Sequence, residues 1–151
     1  MIKTEGDSTS PLNSCCIGIV DDDKEIVWTY KKILSRRGMD VCLVANDGVD
    51  AIRLFYEQKE KPGIIIMDER MAVMCGTEAA RMLSHGEPRP DIIMISADAN
   101  VRDEAFRSGA RVFLSKPISI KVILEAIELV KKNNSSQRYY YDRLEGFVVN
   151  A

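Results

Sequence analysis

Four short apolar runs in the chain end on residues able to do chemistry. Asp21-Asp22-Asp23 follows IGIV, Asp68-Glu69 follows IIIM, Ser96 closes IIMIS, and Ser115-Lys116-Pro117 follows VFL. If these ends share one crevice, their carboxylates repel, and at least one holds its proton more tightly unless a cation sits among them. A hard divalent ion with oxygen ligands meets that need, and Mg²⁺ commonly combines one or two carboxylates with phosphate oxygens and water. A hydroxyl and an ammonium on the far side would hold the other oxygens of a phosphoryl group. The chemistry implied is an aspartate that accepts a phosphoryl group. Each piece alone has an ordinary structural use. An acidic triplet after a strand caps the next helix, Asp68 can cap a turn, and Lys-Pro is a loop with proline at the first helical position. Only the combination, at the spacing of successive strand-helix units, points to a site.

The elements that must position these residues are legible as alternation. Short β-branched runs lie at Ile17–Val20, Val41–Ala45, Ile64–Met67, Ile92–Ser96 and Val112–Leu114. Between them, residues such as Ile26, Tyr30, Ile33 and Arg37, or Ile120, Ile123, Ile127 and Val130, step by three or four, as on one face of a helix. Gly38 and Gly109 follow helical stretches and suit left-handed caps. Five strands alternating with five helices predict an α/β, doubly wound three-layer sandwich. Runs apolar at successive positions, IIIM and IIMI, fit a parallel sheet buried on both faces. Strand carboxyl ends of such sheets open onto a shared crevice.

Composition excludes several classes. Lys plus Arg total 21 against 23 Asp plus Glu, a net charge of -2 that argues against a basic nucleic-acid surface. No apolar run approaches the ~20 residues of a membrane span, and MIKTEGDSTSPLNS lacks the apolar stretch of a signal peptide. A soluble, cytoplasmic protein is expected. Cys15, Cys16, Cys42 and Cys75 match no CxxC spacing, and His85 is the single histidine. A Cys/His metal site or nucleophile is therefore poorly supplied, and the cysteines read as reduced structural thiols.

The stretches IGIVDDDKE, IIIMDERMAVMCG, IIMISADAN and GARVFLSKP resemble, in order, the four motifs of a response regulator receiver domain. The resemblance spans about residues 15–132. It implies a flavodoxin-like (βα)5 fold with a five-stranded parallel sheet in the order 2-1-3-4-5. It also implies Asp68 as phosphoacceptor and Mg²⁺ held by Asp22 and Asp68, by Asp21 directly or through water, and by the backbone carbonyl of Arg70. Ser96 matches the switch hydroxyl, Lys116 the conserved-type lysine and Phe113 the switch aromatic; Pro117 matches a position often cis in the family. Two departures stand out. Ala72 follows Met71 where the family usually has proline, and Phe113 replaces the tyrosine of many members, so any switching there rests on packing. Neither removes a group the chemistry requires.

By the same resemblance the phosphoryl donor is a sensor histidine kinase or a histidine phosphotransfer protein. The chain undergoes phosphorylation and autodephosphorylation but turns over no separate substrate. Output is expected through contact with a downstream protein, without direct DNA binding or membrane attachment. A phosphorylation-independent adaptor with a receiver fold is the alternative, opposed by the presence of Asp22, Asp68, Ser96 and Lys116. A metal-dependent phosphatase lacks an evident separate acid or base. The cognate kinase, the regulated process and the oligomeric state, a homodimer included, leave no mark in the residues.

Three boundaries follow: a polar, flexible arm over 1–14, the receiver over 15–132, and an extension over 133–151. In the extension, Tyr139-Tyr140-Tyr141 and Phe147-Val148-Val149 flank a turn-like DRLEG, predicting a hairpin or a strand docked on a partner or second copy, against an unstructured end. Finally, Arg70 and Asp98 lie two residues beyond Asp68 and Ser96. They are expected to pair across the crevice mouth and slow the approach of water.

Overall fold

The computed structural model describes residues 12–133 and 137–150, with 12–15 described as backbone. The strands are β1 (Leu12–Val20), β2 (Asp40–Ala45), β3 (Lys61–Asp68), β4 (Asp91–Ser96), β5 (Val112–Ser115), β6 (Tyr139–Asp142) and β7 (Gly146–Val149). The helices are α1 (Lys24–Arg36), α2 (Gly48–Glu57), α3 (Gly76–His85), α4 (Arg102–Arg107) and α5 (Ile120–Lys132), with a 3-10 turn over Ala99–Val101 leading into α4.

Alternation along the central strands sorts side chains into two cores. Ile65 and Met67 face one side, with Phe55 of α2, Leu83 of α3 and Phe106 of α4. Ile64 and Ile66 face the other, with Leu34 of α1 and Ile123 and Ile127 of α5. The α/β three-layer fold is thus as expected, and Gly38 and Gly109 take positive φ after α1 and α4. The order 2-1-3-4-5 is present but continues: the sheet has seven strands, β2-β1-β3-β4-β5-β6-β7.

That extension corrects the expected five-stranded sheet. The C-terminal segment is a hairpin, and it docks on its own sheet rather than on a second molecule. β6 runs parallel to β5, with Val112 opposite Tyr139 and Phe113 opposite Tyr140, and β7 returns antiparallel. Successive tyrosines reach opposite cores, Tyr139 the α1/α5 side and Tyr140 the α2–α4 side. Two arginines fasten the segment. Buried Arg111 donates to the carbonyls of Gln137, Val130 and Asn133 and pairs with Asp91 at 3.2 Å. Arg138 donates to the carbonyls of Phe106 and Ala110 at 2.8 and 2.6 Å. Truncating Arg111 strands three carbonyl acceptors and removes the partner of the half-exposed Asp91 carboxylate, and acceptors left unpaired under a buried side chain are costly. Arg111→Met should therefore lower unfolding free energy by about 2–4 kcal/mol in urea denaturation; a loss under about 0.5 kcal/mol, the scale of an ordinary surface substitution, would contradict this anchoring.

Two further expectations change. The arm predicted over 1–14 lies outside the described residues up to 11, but Leu12, Asn13 and Ser14 belong to β1. Among the cysteines, Cys16 and Cys42 form a disulfide between β1 and β2, with Cα atoms 5.8 Å apart, so they are not reduced thiols as expected. The β1–β2 register jumps from Ile17–Val41 to Gly18–Leu43, leaving Cys42 as an extra residue at the irregularity near Cys16. Cys75 is free.

Candidate functional site

The carboxyl ends of β1, β3, β4 and β5 open onto a cleft of about 500 Å³ lined by Asp21, Asp22, Asp68, Arg70, Ser96, Asp98 and Lys116. The acidic triplet divides its labour. Asp23 caps α1, accepting from the backbone N–H of Glu25 at 2.9 Å and of Ile26 at 3.3 Å. Asp21 is buried and accepts from the N–H of Asp23, whereas Asp22 is exposed. Carboxylate oxygens of Asp21, Asp22 and Asp68 lie within 4.8 Å of one another. The capping use of the triplet falls to Asp23, while Asp21 and Asp22 line the cleft.

Asp68 ends β3 with a nearly buried side chain, and Lys116 Nζ donates to its Oδ1 at 2.8 Å. Lys116 is held by its own N–H donating to the Ser96 carbonyl, and the Lys116–Pro117 bond is cis. Ser96 is buried, and its Oγ accepts from the N–H of Asp98 at 3.0 Å. Phe113 lies buried in the core behind the cleft. Glu69 does not join the cluster. Its carboxylate turns to the start of α3, accepting from Thr77 N at 2.7 Å and Thr77 Oγ1 at 3.1 Å. Cys75, the residue at the cap position itself, makes no capping bond.

Electrostatics mark Asp21 as the strained member. Burial pushes its pKa from 3.8 up to about 6; the Asp23 N–H opposes this, Asp68 and Asp22 add to it, and Lys116 offsets part. Lys116 sits above its ordinary value: burial works against the ammonium, but the Asp68 hydrogen bond and the three carboxylates outweigh it. A cluster that holds one carboxyl protonated up to about pH 6 has the chemistry of a divalent cation site, since a cation would replace that proton. The donor set fits.

The expected Arg70–Asp98 pair is not formed. Both residues are exposed and line the same cleft. The Asp98 carboxylate instead accepts from Asn100 N at 2.9 Å, capping the 3-10 turn, and among the described residues no ion pair joins it to Arg70. Local capping is the nearer use for that carboxylate. Two features had no counterpart among the expected site residues. Gly76 packs so closely on the end of β3 that a Cβ would lie 2.5 Å from the Asp68 carbonyl oxygen. Val73 has φ 70°, unusual for a β-branched residue, in the loop where Ala72 stands in place of proline.

The profile of the response regulator receiver domain matches residues 17–128, about three quarters of the chain. The chain belongs to this family. The receiver is 32% identical over 116 residues to the chemotaxis protein CheY of Thermotoga maritima, covering 76% of this chain and 95% of that protein. It is 31% identical to CheY of Listeria monocytogenes over 116 residues, covering 76% and 96%. Among solved structures, the receiver domain of Francisella response regulator 1452 superposes with a TM-score of 0.71 at 25% identity, covering 80% of this chain and 98% of that one. A CheY-like receiver domain protein from Methanospirillum hungatei gives 0.70 at 25% identity, covering 78% and 93%. The matched span ends before the β6–β7 hairpin, which this receiver carries in addition. Among the described residues, no helix is long and apolar enough to cross a membrane.

Proposed function

We propose that Asp68 accepts a phosphoryl group from a phosphohistidine on a histidine kinase or phosphotransfer protein, and that the modified chain acts in the cytoplasm by contact with a downstream protein. The observation that carries this is the Lys116 ammonium 2.8 Å from Asp68 Oδ1, beside three clustered carboxylates. Asp68 Oδ attacks phosphorus in line, and the P–N bond to the donor imidazole breaks with its electron pair returning to nitrogen. Asp21, Asp22, Asp68 and the Arg70 backbone carbonyl would hold Mg²⁺, which supplies charge neutralisation for the phosphoryl oxygens when bound. Lys116 takes up the remaining negative charge, and the Ser96 hydroxyl, which lines the same cleft, would donate to a phosphoryl oxygen. Phe113, buried on the neighbouring strand β5, is the aromatic we assign to repack as Ser96 moves. The chain is thus a phosphoacceptor with autodephosphorylation rather than an enzyme acting on a separate substrate.

The test compares wild type with Asp68→Asn after incubation with acetyl phosphate and Mg²⁺. Intact mass should show one added phosphoryl group on wild type and none on the variant. Equal labelling of both would overturn the assignment, and a partner that binds wild type and variant alike, regardless of labelling, would favour the adaptor reading.

Asp21 sets a pH dependence with a definite sign. Its folded pKa of about 6 lies above the ordinary 3.8, so metal-free protein gains stability from the protonated form. That gain is complete below about pH 4 and is lost as pH rises through about 6, amounting to at most about 3 kcal/mol. A bound cation reverses the preference, so the rise in Tm on adding Mg²⁺ should be larger at about pH 7.5 than at about pH 5. Equal rises at both would contradict the involvement of Asp21.

A further inference from the structure

The edge of β5, the strand that runs up to Lys116, is occupied in this chain by β6. Phe113, the buried aromatic behind Ser96, pairs with Tyr140 across the β5–β6 ladder. The Tyr140 ring packs on the same core as Phe113 and Val101, and the Arg102 guanidinium lies 4.2 Å from its centroid. Arg102 opens α4 immediately after the 3-10 turn, whose first cap is Asp98, itself bonded to Ser96 Oγ. On the other side, Arg143 at the hairpin turn donates to the carbonyl of Pro117 at 3.3 Å, one residue beyond Lys116. Two routes therefore join cleft and hairpin, one through Ser96, Asp98 and Arg102, the other through Lys116, Pro117 and Arg143.

From this geometry we infer that the C-terminal hairpin is an autoinhibitory strap on the β5 edge, docked in the unphosphorylated chain and loosened when Asp68 is phosphorylated. The inference rests on the phosphoacceptor reading above. In the present arrangement Lys116 bonds the bare Asp68 carboxylate and Ser96 bonds the Asp98 N–H. A phosphoryl group on Asp68 displaces the first contact and competes for the second, so the Pro117 loop and the start of α4 both shift. The strap is complementary to the arrangement that is lost, and a two-state equilibrium is biased by the state each ligand prefers. Loosening uncovers the backbone edge of Val112 and Phe113, which can then accept an extended segment of the downstream protein.

The experiment uses the full chain. After acetyl phosphate and Mg²⁺, intact mass establishes the phosphorylated fraction, and hydrogen exchange is followed in peptides covering 139–149. Exchange there should quicken by about fivefold or more in phosphorylated wild type, the lower range of ordinary coupling, and stay unchanged in Asp68→Asn treated alike. Linkage requires the converse. Arg143→Ala, a change at an exposed residue, and Tyr140→Ala should each bind beryllofluoride with Mg²⁺ more tightly than wild type. Phosphorylated protein with unaltered hairpin exchange, or variants with unaltered beryllofluoride affinity, would overturn the strap while leaving the phosphoacceptor intact. Failure of wild type to gain mass would overturn both, and the mass reading identifies that case.

Discussion

Lys116→Ala should slow phosphoryl uptake from acetyl phosphate by about 10²–10³-fold, the usual loss when one preorganised donor is removed from developing charge. The ammonium is the only cationic side chain bonded to Asp68 among the described residues, at 2.8 Å. It is half-buried, so its removal leaves the cores untouched and the loss falls on the reaction. The variant should melt near the wild-type temperature while its labelling rate collapses, as followed by intact mass over time. A rate within about threefold of wild type, under 1 kcal/mol of barrier, would remove Lys116 from the chemistry.

The second large effect is at Gly76. A Cβ there would meet the Asp68 carbonyl oxygen at 2.5 Å, Met94 Sδ at 2.8 Å and the Glu69 Cα at 3.0 Å. Two of these neighbours are backbone of the strand end that carries Asp68, and Gly76 N also donates to the Glu69 carbonyl. Alanine favours helix over glycine by up to about 1 kcal/mol, but overpacking against backbone costs about 1–3 kcal/mol. At the first residue of α3 the helical gain is small, so the clash wins. Gly76→Ala should lower stability by about 1–3 kcal/mol and also weaken Mg²⁺ binding, because the strand end must move. Unchanged denaturation and unchanged metal affinity together would show that the close approach is not a constraint.

The parts of this molecule that could be read from sequence are those decided by local pattern. IIIM and IIMI are apolar at every position because β3 and β4 are covered on both faces, and that same feature located Asp68 and Ser96 at strand ends. What escaped was set by contacts between distant segments. Arg111 looks like a loop arginine, yet it lies buried among carbonyls up to 26 residues away, and this fastening is why the hairpin joins its own sheet. Glu69 sits beside Asp68 in sequence but caps α3 eight residues on, which periodicity alone does not reveal. The Arg70–Asp98 expectation weighed charge and ignored the closer Asn100 N–H. The Cys16–Cys42 bond depends on a register jump between β1 and β2 that strand propensity does not encode.

The central claim is that one aspartate at the end of β3 takes up phosphoryl with the help of a divalent ion held by its acidic neighbours. Its most direct test is to expose wild type to acetyl phosphate in Mg²⁺ and in EDTA, reduce the acyl phosphate with borohydride, and map the modified residue by peptide mass spectrometry. Modification at Asp68 alone, in Mg²⁺ alone, is the predicted result. Modification at another residue, or equal modification in EDTA, would contradict it.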